Sequence, residues 1–485
     1  MSGLARMLRA RGARVTGSDQ TASVVTAALD HEGIPVAIEA AGALPQDAEL
    51  LVVSAAVRPD HPQWVAAESR GVPVLTYAQC LGRCMSGRTG VAIAGTHGKS
   101  TTAAMLGHAL MAAGLDPTVI VGASCAQLSE DGATPVGFRL GAEIVPVGPL
   151  GGRPGLLVAE ACEFNRSFHH LLPTAASISA VEADHLDIYG SLDAVVEAFN
   201  VFARGLPPAA QGGRLLIGHD GAHRREIAAG VEAEVETLGF SPSADWSVRY
   251  DAGARRVSLA RRGERLAEWT CRLPGEHNAM NSAFAAAHAI ALGAEPGAVA
   301  EALSGFRGLE RRLENLGMVN GVRLYDDYGH HPTEIDATLR ALREAERPQD
   351  RGGRLVCVFQ PHQHSRTRFL LEEFAQSFTQ ADIVIVPHIY FVRDSEIELT
   401  RVAAGDLVDR LRDRGVRAMH LYPFEAIVEQ LQIVCRPGDL LVVMGAGPVW
   451  KVARGYIDAM GGLDAPAPAV GRGPRAVARR SGSRA

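Results

Sequence analysis

Short apolar runs alternate with longer stretches of helical periodicity along most of this chain. The runs are rich in Val, Ile and Leu and end in Gly, Pro, Asp or Ser, the pattern of buried parallel strands; the stretches between them read as crossover helices. ARVTGSD (13–19), LLVVSAAV (50–57) and VPVLTY (72–77) are the first strand candidates. A break near MSGRTG (85–90) leads into VAIAGTHGKSTTAAMLGHAL (91–110), which reads as strand, Gly-containing turn and helix. GLLVAEA (155–161), AASISAVEA (175–183) and RLLIG (214–218) continue the series. From Trp246 to Leu273 the helices drop out, and WSVRY and RRVSLARR predict an antiparallel patch. NAMNSAFAAAHAIAL (278–292) is a strong helix, and a second boundary falls near FRGLERRLE (306–314). VRLYDDY (322–328), RLVCVFQP (354–361), IVIVPHI (383–389) and LLVVMGAG (440–447) then restore the strand–helix alternation.

The pattern predicts an α/β protein of three units, 1–87, 88–308 and 309–463, followed by a basic tail over 464–485. The tail is Pro, Gly, Ser and Arg with little to bury, so it is expected to be disordered. The opening stretch, MSGLARMLRARGARVTGSDQ, reads as a helix, a turn at Gly12 and a strand. A nucleotide-binding βαβ unit would place a strand and a Gly-rich loop before that helix. The expectation is that the start lies at an internal Met, about 15 to 20 residues late, so that the first sheet lacks its first strand.

Composition narrows the function. A length of 485 residues suits about three domains. The net charge of −6 argues against a nucleic-acid binder. No apolar run reaches about 18 residues, so no membrane insertion is expected, and arginines interrupt any signal-peptide pattern at the start. Seven cysteines without framework spacing point to a reducing cytoplasm. Cys80 and Cys84 have no second pair nearby, so no zinc site is expected. Among 48 basic residues only Lys99 and Lys451 are lysines. A lysine kept against such a bias points to a task needing a compact ammonium rather than a guanidinium fork.

Lys99 lies in Gly95-Thr96-His97-Gly98-Lys99-Ser100-Thr101, between an apolar strand and a helix. Glycines there turn backbone N–H groups toward phosphates, and the helix N-terminus favours their charge. The loop is shorter than the common G-x4-G-K-[ST], because Ile93 stands at the first glycine position. Lys99 would reach the outer phosphates and Ser100 would offer its hydroxyl to Mg2+. Glu160 and His185 end two neighbouring strand candidates, where ligands of open α/β sheets bind, and would complete the Mg2+ shell.

Together these residues resemble the Mur ligase family of ATP-dependent amide-forming enzymes. DDYGHHPTEI (326–335), FQPHQHSRTRFLLEEFAQSF (359–378), MGAG (444–447) and GEHNAMNSAFAA (275–286) carry the resemblance, which spans nearly the whole chain except the tail. It implies mostly parallel sheets, with Rossmann-like first and third domains around a central ATPase domain. It also implies ligation of L-alanine to the lactyl carboxylate of UDP-N-acetylmuramate with ATP and Mg2+. Position by position, it assigns the 95–101 loop to the ATP phosphates and Glu160 and His185 to the metal. His277, Asn278 and Asn281 match positions at the adenine or ribose, and Arg312, Asp326 and Asp327 face the nucleotide. Tyr328, His330 and Arg366 match positions near the amino acid and the muramyl carboxylate, with His330 as a candidate base. His362 and His364 read as neighbours flanking Arg366, not as a metal pair.

Three departures from the family stand out. ACEFN (161–165) replaces an acidic, serine-containing run, Gln363 replaces an Arg, and the N-terminal Gly-rich loop is absent. Some relatives carry a carbamylated lysine near the metal; with no lysine between Lys99 and Lys451, none is expected here. Two other readings stay open: a family ligase with a different amine, and a non-catalytic nucleotide-binding relative.

Overall fold

The structure is a computed structural model and describes residues 1–38 and 44–464; the tail expected over 464–485 lies outside it except for Asp464. Two large sheets organise the chain. The central one has ten strands, and Thr89–Ala94 lies inside it between Leu156–Glu160 and Ala175–Ile178. Its strands are parallel from Thr118–Cys125 across to Trp246–Asp251. The expected antiparallel patch is the continuation of this sheet, through Arg256–Arg261 and Glu264–Thr270. Alternation along Leu156–Glu160 shows how it is covered. Leu156 and Val158 enter one core cluster and Leu157 and Ala159 another, so both faces are packed. The Ala-rich helix Glu276–Ala291 packs against Lys99–Ala112 on one face, small side chains letting the two come close.

The second sheet has six strands in the order Glu314–Val319, Val322–Asp327, Leu440–Met444, Leu355–Phe359, Ile383–Val386 and Arg417–His420. All neighbours are parallel except the first pair. The strands end toward the central unit's phosphate loop, and the helix Pro332–Glu346 begins there.

The first region is built differently. Its strands form two separate parallel pairs, Gly17–Asp19 with Val36–Ile38 and Leu51–Val53 with Val74–Thr76. No strand among the described residues joins them. The opening helix, Ser2–Ala10, does not close a core of its own. Its Leu4 and Met7 are buried in the central unit's cluster with Leu81, Ala159 and Phe168, and Gly3 lies against Phe138. No helix among the described residues is long and apolar enough to cross a membrane.

Candidate active site

The loop Gly95–Gly98 leaves the inner strand Thr89–Ala94 and enters the helix Lys99–Ala112. Both glycines have positive φ, 125° and 79°, and a Cβ on either would come within 2.2 Å of Ser179 Oγ or Asn281 Oδ1. Only glycine fits the turn. The helix N-terminus therefore opens at the strand ends with Lys99 as its first residue. The Lys99 ammonium donates to the carbonyls of Gly95 and Thr96 at 2.7 and 2.9 Å and to Glu163 Oε1 at 3.0 Å. Burial opposes its charge, but Glu163, Cys162 and Glu160 outweigh burial and raise its pKa.

The expected metal shell is divided. Ser100 Oγ donates to Glu160 Oε2 at 2.8 Å, and the Gly122 N–H donates to the same oxygen at 2.8 Å. His185 is not with them: it lies with Glu163 and Asp184, whose ligand atoms are all within 4.8 Å of one another. His185 takes a left-handed conformation at the start of a short helix, beside an Asp184 that is held by another domain, and this draws the imidazole toward Glu163. Near the phosphate loop lie the Ser100 hydroxyl and the Glu160, Glu163 and Asp184 carboxylates beside the His185 imidazole, and the oxygens of this set suit a hard divalent ion such as Mg2+.

The third unit brings Tyr328–Gly329–His330–His331 against this centre. Asp327 builds the loop rather than reaching outward: its carboxylate accepts the N–H groups of Leu313 and Gly329, each at 2.6 Å. Asp326 accepts Arg311 Nε at 3.3 Å. Burial pushes both carboxyls up to about 6. Both aspartates thus support the loop from inside the third unit. Arg312 holds its guanidinium 4.7 Å above the Tyr328 ring and is in no ion pair among the described residues. His330 Nδ1 lies 3.2 Å from the Tyr328 carbonyl oxygen, a contact that fixes the proton there and leaves Nε2 as the free acceptor. Burial lowers its pKa to about 4, so the ring is neutral at pH 7.

Arg366 is buried; its Nε and a terminal nitrogen donate to Asp184 Oδ1 at 3.1 and 2.7 Å, across 182 residues of sequence. Burial works against the Asp184 charge, but Arg366 holds its carboxyl far below the usual range. His362 Nδ1 sits 3.4 Å from Arg366, as a flanking neighbour would. Asn278 and Asn281 are buried and spend their amides internally. Asn278 donates to the Pro274 carbonyl at 2.9 Å and Asn281 to Asn278 at 3.3 Å, while Thr102 Oγ1 donates to Asn281 Oδ1 at 3.3 Å. Asn281 braces the phosphate loop from below, which its place one turn along the helix from His277 dictates. His277 Nε2 lies 3.0 Å from Asn278 Nδ2.

Sequence reasoning missed Glu163, Asp184, Glu182 and Glu334. Glu182 and Glu334 flank His97, at 3.4 Å from Nε2 and 3.1 Å from Nδ1. His97, Glu182 and His331 have the spacing of a cation site. Both His331 nitrogens already have contacts: Nδ1 accepts the Thr333 N–H at 3.3 Å and Nε2 faces the Ala183 carbonyl at 3.2 Å. All four missed residues stand inside the stretches that drew attention to their neighbours; what the chain order does not show is their partners.

Known proteins resemble this chain over most of its length. Three family profiles match it: Mur ligase family, catalytic domain, over residues 1–89; Mur ligase middle domain over 93–289; and Mur ligase, glutamate ligase domain, over 311–447. A UDP-N-acetylmuramate–L-alanine ligase of Desulfitobacterium hafniense is 35% identical over 462 residues, covering 94% of this chain and 97% of the relative. One from Kineococcus radiotolerans is 40% identical over 464 residues, covering 93% and 92%. The crystal structure of UDP-N-acetylmuramate-alanine ligase from Thermotoga maritima superposes with a TM-score of 0.73 at 24% identity, covering 95% of this chain and 96% of that one, and shows a shared fold.

Proposed function

This chain belongs to the Mur ligase family, and from that premise we propose that it joins L-alanine to the lactyl carboxylate of UDP-N-acetylmuramate at the expense of ATP, a cytoplasmic step of peptidoglycan synthesis. The observation that carries the reading is the meeting of the Lys99 phosphate loop with the Tyr328–His331 loop of another domain.

A carboxylate does not acylate an amine in water without activation. The γ-phosphoryl of ATP passes to the lactyl carboxylate, giving an acyl phosphate and ADP. The neutral α-amine of alanine attacks the acyl carbon, the tetrahedral intermediate collapses, and phosphate leaves with the C–O bond electrons. One proton comes off the amine. His330, whose Nδ1 faces the Tyr328 carbonyl and whose ring is unprotonated, is the candidate to take it. The Lys99 ammonium, once its bond to Glu163 gives way to phosphate oxygens, stabilises the charge of the transferring group. Ser100 and Glu160, with His185 on the other side, would hold Mg2+, which supplies charge neutralisation when bound. No enzyme nucleophile is needed, so none of the seven cysteines is assigned a role.

The test is phosphate release with ATP, Mg2+, UDP-N-acetylmuramate and L-alanine, leaving out each in turn. Release that needs all four is expected. Release sustained by another amine or UDP-sugar instead would assign a different ligase of the family. No release from a folded, ATP-binding chain would favour a non-catalytic relative.

A further inference from the structure

His97 belongs to the glycine-rich 95–101 loop, and its ring contacts two carboxylates outside that loop. Its Nε2 lies 3.4 Å from Glu182 on the strand-end segment of the same unit, and its Nδ1 lies 3.1 Å from Glu334 of the third unit. The other Glu334 oxygen accepts the backbone N–H groups of His330 and His331, at 3.0 and 3.3 Å. Those are the amides that shape the loop carrying Tyr328 and His330. Glu182 is tied to the same region, since it accepts the Thr333 hydroxyl at 2.5 Å, and its own N–H donates to Thr96 Oγ1 at 3.0 Å. The His97 and His331 rings stand 4.8 Å apart. One imidazole thus spans the two loops that the reaction must bring together. Its backbone belongs to the ATP loop, and its ring holds the carboxylate that sets the acceptor loop.

We propose that His97 is the positioning residue that couples nucleotide occupancy of the 95–101 loop to the geometry of the 328–331 loop. It acts through Glu334 and does not touch the reacting atoms. Movement of the phosphate loop as it closes on ATP carries the ring with it, because Gly95 and Gly98 leave the backbone at position 97 no slack: each is packed against a neighbouring side chain. The ring then draws Glu334 and the two amides it binds into register with the acyl phosphate. The inference rests on reading 328–331 as the loop that meets the amine, and its test must separate the two.

The first readout is independent of product. Backbone hydrogen exchange at His330 and His331 is followed in the full chain with and without a non-hydrolysable ATP analogue. In the unaltered protein the analogue is expected to slow both amides by about tenfold, the effect of securing one charge-assisted hydrogen bond. In His97→Gln this slowing falls below about threefold, while the affinity for the analogue stays within about threefold. The second readout is kinetic: in His97→Gln the KM for L-alanine rises by about tenfold and that for ATP barely moves. Glu334→Gln gives a similar rise, and the double variant is no worse than either single one, as expected of groups acting through one contact. Should His97→Gln not fold, His97→Asn carries the same exchange test. Protection that survives the variants, or analogue affinity lost in step with protection, overturns the proposal. Absence of any phosphate release from the unaltered chain would sink the ligase reading alone, leaving the exchange result to decide the coupling.

Discussion

Leu440–Met444, near one end of the chain, is buried at every position; Gly17–Asp19, near the other, is exposed at every position. Both are parallel strands flanked by helices. The difference lies in what covers them. A parallel sheet is stable when both faces are packed. The third unit meets that condition by itself, with one core cluster on each face of six paired strands. The first region has two narrow pairs and supplies none of the four clusters alone; its Leu4, Met7, Leu75 and Leu81 are buried in the central unit's cluster. The mode of attachment differs as well. The first region joins the centre through apolar side chains. The third unit joins it through polar groups at the active site, Arg366 with Asp184 and His97 with Glu334. A polar seam between self-sufficient units is suited to open and reclose around substrates; an apolar one is suited to stay shut.

Three measurements would break or sharpen this contrast. The largest effect is expected in the third unit: Phe359→Ala, which empties a fully buried site against Phe374 and Phe378, should cost about 3–5 kcal/mol by chemical denaturation. Ile38→Ala in the exposed first region should cost less than about 1 kcal/mol. Equal losses would mean that the first region is better packed than its exposure implies. Next comes Leu4→Ala, expected to cost about 2–4 kcal/mol and to destabilise the central unit rather than the first region alone. Hydrogen exchange of the strand Leu156–Glu160 would show it, and unaltered protection there would break the idea that the opening helix belongs to the central core.

The smallest effect is on pH. Burial pulls the His97 pKa down, but hydrogen bonds to Glu182 and Glu334 more than compensate, and the group ends at about 9. A folded-state pKa raised above the free value means that the contribution is complete below about pH 6.5 and is lost as pH climbs through about 9. The seam between the central and third units should therefore loosen above pH 8, seen as a larger radius of gyration in solution scattering, while the apolar attachment of the first region stays unchanged. Only one of the polar contacts titrates in that window, so the change is modest. An identical profile in His97→Gln would remove this histidine as the cause.

Much of the fold was legible because its signals are local. Val–Ile–Leu runs marked most buried strands of the two large sheets, where full burial enforces continuous apolar sequence, but the inner strand Thr118–Cys125 was passed over despite its buried Val-Ile-Val run. Glu234–Gly239 and Glu314–Val319 were harder to see: they carry Glu, Thr, Asn and Gly among their apolar residues, and their burial is incomplete. The helix Ser2–Ala10 was recognised as amphipathic, but nothing in its period says which sheet its Leu4 and Met7 will find.

The same division runs through the site. Sequence by itself determined the phosphate loop, its lysine and the strand ends that surround it, because a glycine turn between strand and helix is set by residues next to one another. It determined the turn after Val322–Asp327 for the same reason, through Asp327 and the Gly329 amide two residues on. Only the tertiary structure decided that Lys99 rests on Glu163, that Arg366 grips Asp184 and that His97 is shared between Glu182 and Glu334. Those pairs join residues from 64 to 237 positions apart. A charge in a sequence states what it can bind; which opposite charge it meets in a low-dielectric seam is fixed only when two packed units come together.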